Sequence, residues 1–209
     1  MWVQVPPGVQ TKMLIKRYMA EFKTIDEEGV ILRRSWAMPN KNTFSIKPFK
    51  ELIESYKAKL PEGAIILDPF ANSNKHGTIT NDIDPQYNTD YHLDALDFLK
   101  MFDDNSVDMV LFDSPFSPTQ VVTCYKKLNK TVDHQSTSAA FWSNLKKEIG
   151  RVLKIGGYCI TFGWNSGGIG KKYNGNIIEI LWVAHGGMHN DTCAVVDKKI
   201  ANNVAAQEN

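Results

Sequence analysis

Long apolar runs are missing from this sequence, and so is a secretion signal. The best candidate for a membrane helix, residues 177–188, is interrupted by Glu179 and His185, whereas a bilayer span needs about 18 or more apolar residues. The N-terminal residues, MWVQVPPGVQTK, show no apolar stretch behind a basic start. We therefore expect a cytoplasmic protein that does not enter a membrane.

Cysteine is scarce, and glycine-rich phosphate loops are absent. The three cysteines are Cys124, Cys159 and Cys193. Their odd number and wide spacing disfavour both a disulfide framework and a C-x-x-C metal site, so we expect buried, reduced thiols. The chain has neither G-x-x-x-x-G-K-[ST] nor G-x-G-x-x-G, the loops whose backbone N–H groups hold phosphates. This second absence argues against nucleoside triphosphates and dinucleotides as ligands.

Charge is balanced overall but unevenly distributed along the chain. Counting Lys and Arg against Asp and Glu gives a net charge of +5 for residues 1–60, −9 for residues 61–125 and +5 for residues 126–209. An acidic centre between basic arms suits a central site for a cationic ligand with an anionic polymer held around it. Solvated surface charge produces similar blocks, so this pattern alone does not decide the function.

Hydrophobic patterning predicts strands and helices in alternation within one domain. Predicted strands lie at 29–36, 64–67, 78–83, 107–112, 158–162, 177–184 and 193–196, and predicted helices at 45–60, 94–102 and 138–153. No helix separates the last two strands. This order predicts the α/β class, with a doubly wound, mostly parallel sheet and an antiparallel edge strand.

Acidic residues follow the predicted strands in a regular order. Asp68 and Asp113 each close a strand, Asp82 follows the strand between them, and Asp94 comes shortly after. Ligands of open α/β sheets bind at the carboxyl ends of the strands. One carboxylate there can accept both hydroxyls of a ribose, and a later one can accept from the amine of adenine. The layout predicts a positively charged nucleoside without phosphates as the ligand, although any one of these acids could instead cap a helix.

Four motifs carry a resemblance to a known family: DPFA at 68–71, NDIDP at 81–85, DAL at 94–96 and DSPF at 113–116. In this order they resemble the amino-group DNA methyltransferases, S-adenosyl-L-methionine (SAM)-dependent enzymes that modify adenine N6 or cytosine N4. The resemblance runs from about Trp36 to Lys199 and extends to small adenine methyltransferases of bacteriophages. It implies a Rossmann-like class I methyltransferase fold, methylation of adenine N6 in double-stranded DNA with the target base flipped out, a restriction-modification context and the host cytoplasm.

The resemblance also divides the chain and assigns its residues. It implies a catalytic domain at 44–200, and the sequence itself predicts an N-terminal strand and arm at 1–43 and a flexible tail at 201–209. The residues that it implies for cofactor binding are Phe44, Ser45, Ile46, Asp68, Pro69, Phe70, Ala71, Asn72, Ser73, Asp82, Ile83, Asp94 and Ala95. The methionine end of SAM would lie by Asp68 and residues 44–46, the ribose by Asp82 and the adenine by Asp94. No metal is implied.

The catalytic motif of the family, [DNS]-P-P-[YFW], matches Asp113, Ser114, Pro115 and Phe116. Ser114 replaces the first proline, and Asn72 and Asn74 replace the two glycines of the D-P-F-x-G-x-G loop. Asn is the residue other than glycine that best tolerates left-handed backbone, so we expect the loop to keep its turn. These departures leave a catalytically impaired cofactor-binding or DNA-binding protein as an alternative, and RNA is an alternative substrate.

Recognition of the nucleic acid must come from short segments, since no extra domain fits between or after the motifs. Residues 117–138 are predicted to form a loop in which Tyr125, Lys126, Lys127 and Lys130 contact a phosphate backbone, with sequence recognition short or supplied by a second copy in a homodimer. Further candidates for nucleic-acid contact are Arg33, Arg34 and Trp36, although a solvated strand face is the favoured interpretation of these three residues. His185 and His189 flank a Gly-Gly turn, where a strand hairpin is the alternative to a metal site.

Overall fold

The computed structural model describes residues 22–131 and 138–201. Eight strands form one sheet: β1 (Phe22–Ile25), β2 (Ile31–Trp36), β3 (Ile66–Asp68), β4 (Ile79–Thr80), β5 (Val107–Phe112), β6 (Leu153–Gly163), β7 (Gly175–Ala184) and β8 (Thr192–Lys199). The α-helices are α1 (Lys47–Lys57), α2 (Ala95–Lys100), α3 (Pro118–Lys127) and α4 (Ala139–Val152). The part of the predicted arm at 1–21 and the tail from residue 202 lie outside the described residues.

The sheet is mixed, with strand order β1-β2-β7-β8-β6-β5-β3-β4. Strands β4, β3, β5 and β6 are mutually parallel, and β2 is parallel to β7. Strand β8 runs antiparallel to both β6 and β7, and β1 is an antiparallel edge strand. The α/β class is therefore confirmed. The pair β7 and β8 lies inside the sheet and not at its edge, because β2 and β1 extend the sheet beyond β7.

Helices cover both faces of the central strands, which explains why these strands are mostly apolar. Alternate residues of β5 point to opposite faces: Met109 and Leu111 pack in the cluster that contains α1, whereas Val110 and Phe112 pack in the cluster with α2 and α4. All six residues of β5 are buried. The chain can thus present the carboxyl ends of its central strands on a rigid frame.

A buried carboxylate ties α1 to the β2 side of the sheet. Glu179 on β7 accepts hydrogen bonds from the Tyr56 hydroxyl (2.9 Å) and from Arg33 Nη1 (3.0 Å). Burial raises the pKa of Tyr56, and its hydrogen bond to Glu179 raises it further. Arg33 therefore has a partner within the fold, which supports a structural role and not contact with nucleic acid.

The prediction of a loop over 117–138 is wrong, because α3 occupies residues 118–127. Its start is a standard one: the Ser117 side chain accepts a hydrogen bond from the backbone of Gln120, and Pro118 lies in the first turn. Residues 132–137 lie outside the described residues. Within 22–131 and 138–201, no helix combines the length and apolar character of a membrane span.

Two of the three cysteines are buried as expected. Cys159 and Cys193 lie in the sheet, and burial raises the pKa of the Cys193 thiol to about 11. Cys124 on α3 is exposed, so the expectation of burial is wrong there. Cys124 lies on α3, the helix that the sequence did not predict.

Candidate functional site

A cavity of about 370 Å³ lies beyond the carboxyl ends of β3, β4 and β5. The predicted site residues that line it are Pro69, Phe70, Asn72, Asp82, Ile83, Asp94, Ala95, Asp113, Ser114, Pro115 and Phe116. Those that do not are Phe44, Ser45, Ile46, Asp68, Ala71 and Ser73. Both groups of predicted residues, catalytic and cofactor-binding, therefore contribute to one cavity.

The DSPF motif follows β5 directly and forms one wall of the cavity. Burial raises the pKa of Asp113 to about 6, against an opposing hydrogen bond from the Thr43 side chain. Ser114 is buried, and the Pro115 carbonyl accepts a hydrogen bond from Trp142 Nε1 at 3.0 Å. The turn is thus fixed by a contact from α4, in a chain that lacks the first proline of the family motif.

Asp68 lies beneath the cavity and carries a buried oxygen without a partner. Its Oδ1 accepts from the backbone N–H of Phe70 (3.2 Å), whereas Oδ2 has no hydrogen-bond partner among the described residues. Burial raises the pKa of Asp68 well above its usual range, and the charges of Asp113 and Asp82 add to this. The side chain therefore shapes the loop after β3 from below and does not reach the cavity surface.

The Asp82 carboxylate fixes the loop after β3 through a hydrogen bond from the backbone of that loop. One oxygen accepts from the N–H of Asn72 and the other from the N–H of Asp84, both at 2.9 Å. Asn72 has the left-handed backbone expected of it, with φ 51°. Burial raises the pKa of Asp82, while these two hydrogen bonds oppose the rise. Each oxygen of the carboxylate keeps acceptor capacity for a ligand hydroxyl.

Helix α3 lines the cavity and contacts two of the carboxylates there. The Tyr125 hydroxyl donates to Asp94 Oδ2, and Lys127 Nζ lies 3.0 Å from Asp84 Oδ2. Asp94 also caps α2, since its Oδ1 accepts from the N–H of Leu96 at 3.0 Å. Asp94 therefore both caps α2 and lines the cavity. Tyr125 and Lys127 face the cavity, so the prediction that they grip a phosphate backbone is not supported.

The segment that precedes α1 reaches the cavity three residues earlier in the chain than expected. Lys41, Asn42 and Thr43 line it. Phe44 instead packs in the core, with its ring centroid 4.9 Å from that of Phe162, and Ile46 is also buried. Other lining residues that sequence reasoning missed are Tyr87, Leu93, Gln120, Val121, Cys124, Leu128 and Phe141. The Ser-Pro start of α3 is the signal that could have revealed most of them.

His185 and His189 do not form a shared site. The buried His185 ring donates from Nδ1 to the Ala37 carbonyl (2.8 Å), and its Nε2 accepts from the Thr192 hydroxyl (3.0 Å). His189 is exposed in the loop between the antiparallel strands β7 and β8. The described part of the chain contains no group of three or more His, Cys, Asp or Glu side chains placed to hold a metal.

Comparisons with known proteins identify the fold. No protein-family model and no curated protein matches the sequence. The solved structure of TrmN from Thermus thermophilus is 14% identical and aligns with 74% of this chain and 49% of its own, with a TM-score of 0.50. This chain thus spans about half the length of TrmN. The match shows the Rossmann-like fold of the class I methyltransferases.

Two further solved structures align with this chain at lower similarity. A SAM-dependent methyltransferase from Methanosarcina mazei is 13% identical, with a TM-score of 0.43 over 72% of this chain and 98% of its own. The 16S rRNA methyltransferase RsmC from T. thermophilus, solved with AdoMet and guanosine, is 13% identical, with a TM-score of 0.39 over 90% of this chain and 47% of its own.

Proposed function

We propose that this protein transfers a methyl group from SAM to the exocyclic N6 of adenine in DNA. One observation carries the proposal: Asp113 and Phe116 of the DSPF motif line the same cavity as Asp82, Asp94 and the loop after β3. A methyl transfer needs the acceptor amine and the methyl donor side by side. A single cavity with both sets of residues supports that arrangement.

The cavity suits a cationic nucleoside in size and charge. Its volume of about 370 Å³ falls within the range of roughly 300–1,000 Å³ typical of small-molecule sites. The charged residues that line it are Lys41, Asp82, Asp84, Asp94, Asp113 and Lys127. Four carboxylates against two ammonium groups leave a net negative potential, which attracts a sulfonium and repels phosphates.

Individual residues have distinct places in this proposal. Asp82 would accept the ribose hydroxyls, and Ile83 and Ala95 would contact the adenine beside Asp94. The loop from Pro69 would hold the methionine end. Opposite that loop, residues 41–43 replace residues 44–46 as the covering segment, because Phe44 and Ile46 are committed to the core.

The chemistry required of the protein is modest. When bound, SAM would supply an electrophilic methyl carbon, and its sulfur would keep the electron pair of the bond that breaks. An exocyclic adenine amine is a poor nucleophile because its lone pair is delocalised into the ring. Asp113 and the Ser114 carbonyl would accept hydrogen bonds from its two N–H groups and favour the pyramidal amine. The amine nitrogen would take the methyl group and give up one proton, which Asp113 would accept and pass to water.

Phe116 would hold the target base by stacking on its face. Chemistry on a base inside a duplex requires that the base be flipped out of its stack, and flipped bases are held by aromatic side chains. The Phe116 ring is itself supported by Trp164, with 5.5 Å between ring centroids and an interplanar angle of 69°. A supported ring loses little freedom on binding the base.

The test is to incubate the purified protein with labelled SAM and either unmethylated duplex DNA or RNA, then to digest the polymer and identify the methylated nucleoside by mass spectrometry. We expect N6-methyladenine in DNA. A methylated nucleoside found only in RNA, or N4-methylcytosine in place of N6-methyladenine, would overturn the assigned substrate. Binding of SAM without any product would overturn catalysis and indicate a binding protein on this fold.

The matched variants are Asp113→Ala and Asp103→Ala. Asp113 lines the cavity, whereas Asp103 is exposed after α2. We expect Asp113→Ala to abolish methyl transfer with SAM binding largely retained, and Asp103→Ala to behave as the wild type. Equal turnover in the two variants would remove Asp113 from the mechanism.

A further inference from the structure

A second cleft adjoins the proposed base site. It has a volume of about 450 Å³ and is lined by Trp164, Trp182, His189, Asn190 and Asp191; we call it the tryptophan cleft. The ring of Trp164 contacts that of Phe116, which lines the first cavity. The two sites are therefore connected by a direct aromatic contact.

The tryptophan cleft is built on ordered strands. Trp182 on β7 pairs in register with Cys193 on β8, and Trp164 directly follows the end of β6. The indole N–H of Trp182 donates to Asp191 Oδ2 at 2.9 Å, and the other oxygen of Asp191 accepts from the backbone of His185 at 3.1 Å. The orientation of Trp182 is thus set before any ligand binds, which reduces the entropy lost on binding.

Both tryptophans nevertheless leave much of their surface in water. Trp164 is 45% exposed and Trp182 is 42% exposed. Two large aromatic rings exposed in one cleft mark an interaction site more often than a passive surface. The exposed side chains of His189 and Asn190 add hydrogen-bonding groups beside the rings. A ligand with flat apolar faces and a polar edge matches this combination, and a nucleobase has that form.

A cation on the neighbouring strand and proximity to the first cavity favour nucleic acid as the source of this base. Arg34 on β2 lies in register with Trp182 across the β2–β7 pair, so its side chain shares a face of the sheet with the indole. A cation there suits the phosphates of a bound strand. Since Phe116 and Trp164 are in contact, bases stacked on each are close enough to belong to neighbouring nucleotides.

We infer that the tryptophan cleft binds, by stacking on Trp164 and Trp182, an unpaired DNA base that neighbours the target adenine. This inference rests on the proposed function, because it assigns DNA as the substrate of the same site. It adds a second base-binding position on a surface separate from the first cavity.

The test uses a fluorescein-labelled dodecamer of deoxyadenosine, which presents the same base to the protein in every binding register. The comparison ligand is a labelled dodecamer of the same backbone with abasic sites throughout. Fluorescence anisotropy gives the affinity of each for the wild type and for Trp182→Ala, Trp182→Phe and Ile155→Ala. Ile155 is an exposed apolar residue at the opposite end of β6 from Trp164, so Ile155→Ala is the matched control. Thermal melting and SAM binding of each variant verify its folding.

We expect Trp182→Ala to weaken binding of the deoxyadenosine dodecamer about 10-fold, the scale of one lost aromatic–base stack. Binding of the abasic dodecamer should not change, and Trp182→Phe should keep most of the affinity because its ring still stacks. If Trp182→Ala fails to fold, the second measurement uses a variant that carries both Trp164→Phe and Trp182→Phe. The fluorescence of 2-aminopurine placed in the dodecamer is then compared between this variant and the wild type. Strong quenching of that fluorescence by the wild type alone supports the cleft.

Other outcomes overturn the inference. Unchanged affinity in a folded Trp182→Ala protein does so, as does an equal loss for both dodecamers. A change confined to the oligomeric state would reassign the cleft to contact between two copies, and tighter binding of the adenosine dodecamer of RNA would exclude DNA. Base-dependent binding that needs Trp182 but comes without methylation leaves the inference standing and overturns the proposed function. If Trp182→Ala methylates DNA with an unaltered KM for DNA, the proposed function stands and the inference about the cleft is overturned.

Discussion

Asn72 donates its backbone N–H to the Asp82 carboxylate, with 2.9 Å between Asn72 N and Asp82 Oδ2. The bond joins the loop after β3 to the segment after β4, the two parts of the site that we assign to the methionine and ribose of SAM. It depends on the left-handed backbone of Asn72, whose φ is 51°. The residue that replaces a family glycine thus supplies the geometry for which the glycine is normally needed.

Substitution of Asn72 should separate backbone conformation from side-chain crowding. Because a residue other than Gly or Asn pays about 1 kcal/mol or more in left-handed backbone, we expect Asn72→Ala to weaken SAM binding about 5-fold or more in isothermal titration calorimetry. Asn72→Gly should bind SAM at least as tightly as the wild type, since it keeps the turn and removes a side chain from the cavity wall.

Asn105 provides the control for that comparison. It has a similar backbone, with φ 56°, but lies outside the cavity. We expect Asn105→Ala to lower the melting temperature and to leave the SAM dissociation constant unchanged. Weaker SAM binding in Asn105→Ala would mean that the effect at Asn72 reflects general destabilisation.

Asp113 should impose a pH dependence on methyl transfer. Burial raises its pKa to about 6, and the ionised carboxylate is the form that accepts from the amine. We therefore expect kcat/KM to rise with pH through about 6 and to level off above it, with a nearly 10-fold fall per unit well below 6. Asp113→Asn, which keeps an acceptor oxygen but cannot ionise, should be slower and lack this limb. A limb that persists in Asp113→Asn would assign it to another group.

Asp197 should make the folded state less stable as pH rises. The residue is fully buried, and among the described residues only its Oδ2 has a hydrogen-bond partner, the N–H of Ile169 at 2.9 Å. Burial raises the pKa of Asp197 to about 6, so the folded state binds a proton more tightly than the unfolded state. Stability from this group is fully present below the unfolded pKa near 4 and is lost as pH rises through 6, by about 3 kcal/mol in all.

Denaturant unfolding at several pH values measures this effect. We expect the free energy of unfolding of Asp197→Asn to fall less than that of the wild type between pH 4 and pH 7.5. Asp103→Asn, at an exposed position, should follow the wild type. Parallel curves for Asp197→Asn and the wild type would show that Asp197 has an ordinary pKa in the folded protein.

Glu179 should matter more for stability than an exposed carboxylate. Its removal leaves the buried Tyr56 hydroxyl and Arg33 without their partner, so we expect Glu179→Ala to cost about 2 kcal/mol and lower the melting temperature by roughly 6 °C. Glu179→Gln should cost less, since it keeps an acceptor for Tyr56. The control is Glu51→Ala, whose exposed carboxylate lies 3.8 Å from Lys47, with an expected effect below about 0.5 kcal/mol. Equal losses at the two positions would contradict the role of Glu179.

The elements that the sequence predicted best are those whose burial permits only one secondary structure. The structure gives β5 the predicted bounds, 107–112, because both of its faces are covered and every residue except Asp108 is apolar. Helix α3 escaped prediction because Val121 is its one buried residue, and a helix with so narrow an apolar side shows little periodicity. Its Ser117-Pro118 start was the available signal.

The candidate site divides in the same way. Asp82, Asp94 and Asp113 reach one cavity because the carboxyl ends of neighbouring strands meet at one edge of the sheet. Phe44 was assigned to that cavity but packs in the core, since an apolar residue before a helix fits either environment and local sequence does not distinguish them. Contacts between distant segments, such as Trp164 with Phe116, depend on the assembled sheet.

The insertion of β8 between β6 and β7 has a consequence for how the chain folds during translation. The strands β1, β2 and β7 are connected by sheet hydrogen bonds to β6, β5, β3 and β4 only through β8, yet the ribosome makes β8 after the other seven. The nascent sheet therefore exists as two unjoined parts until residue 199 has left the exit tunnel. Pairing of β8 with β6 and β7 is therefore the step that completes the sheet in a nascent chain.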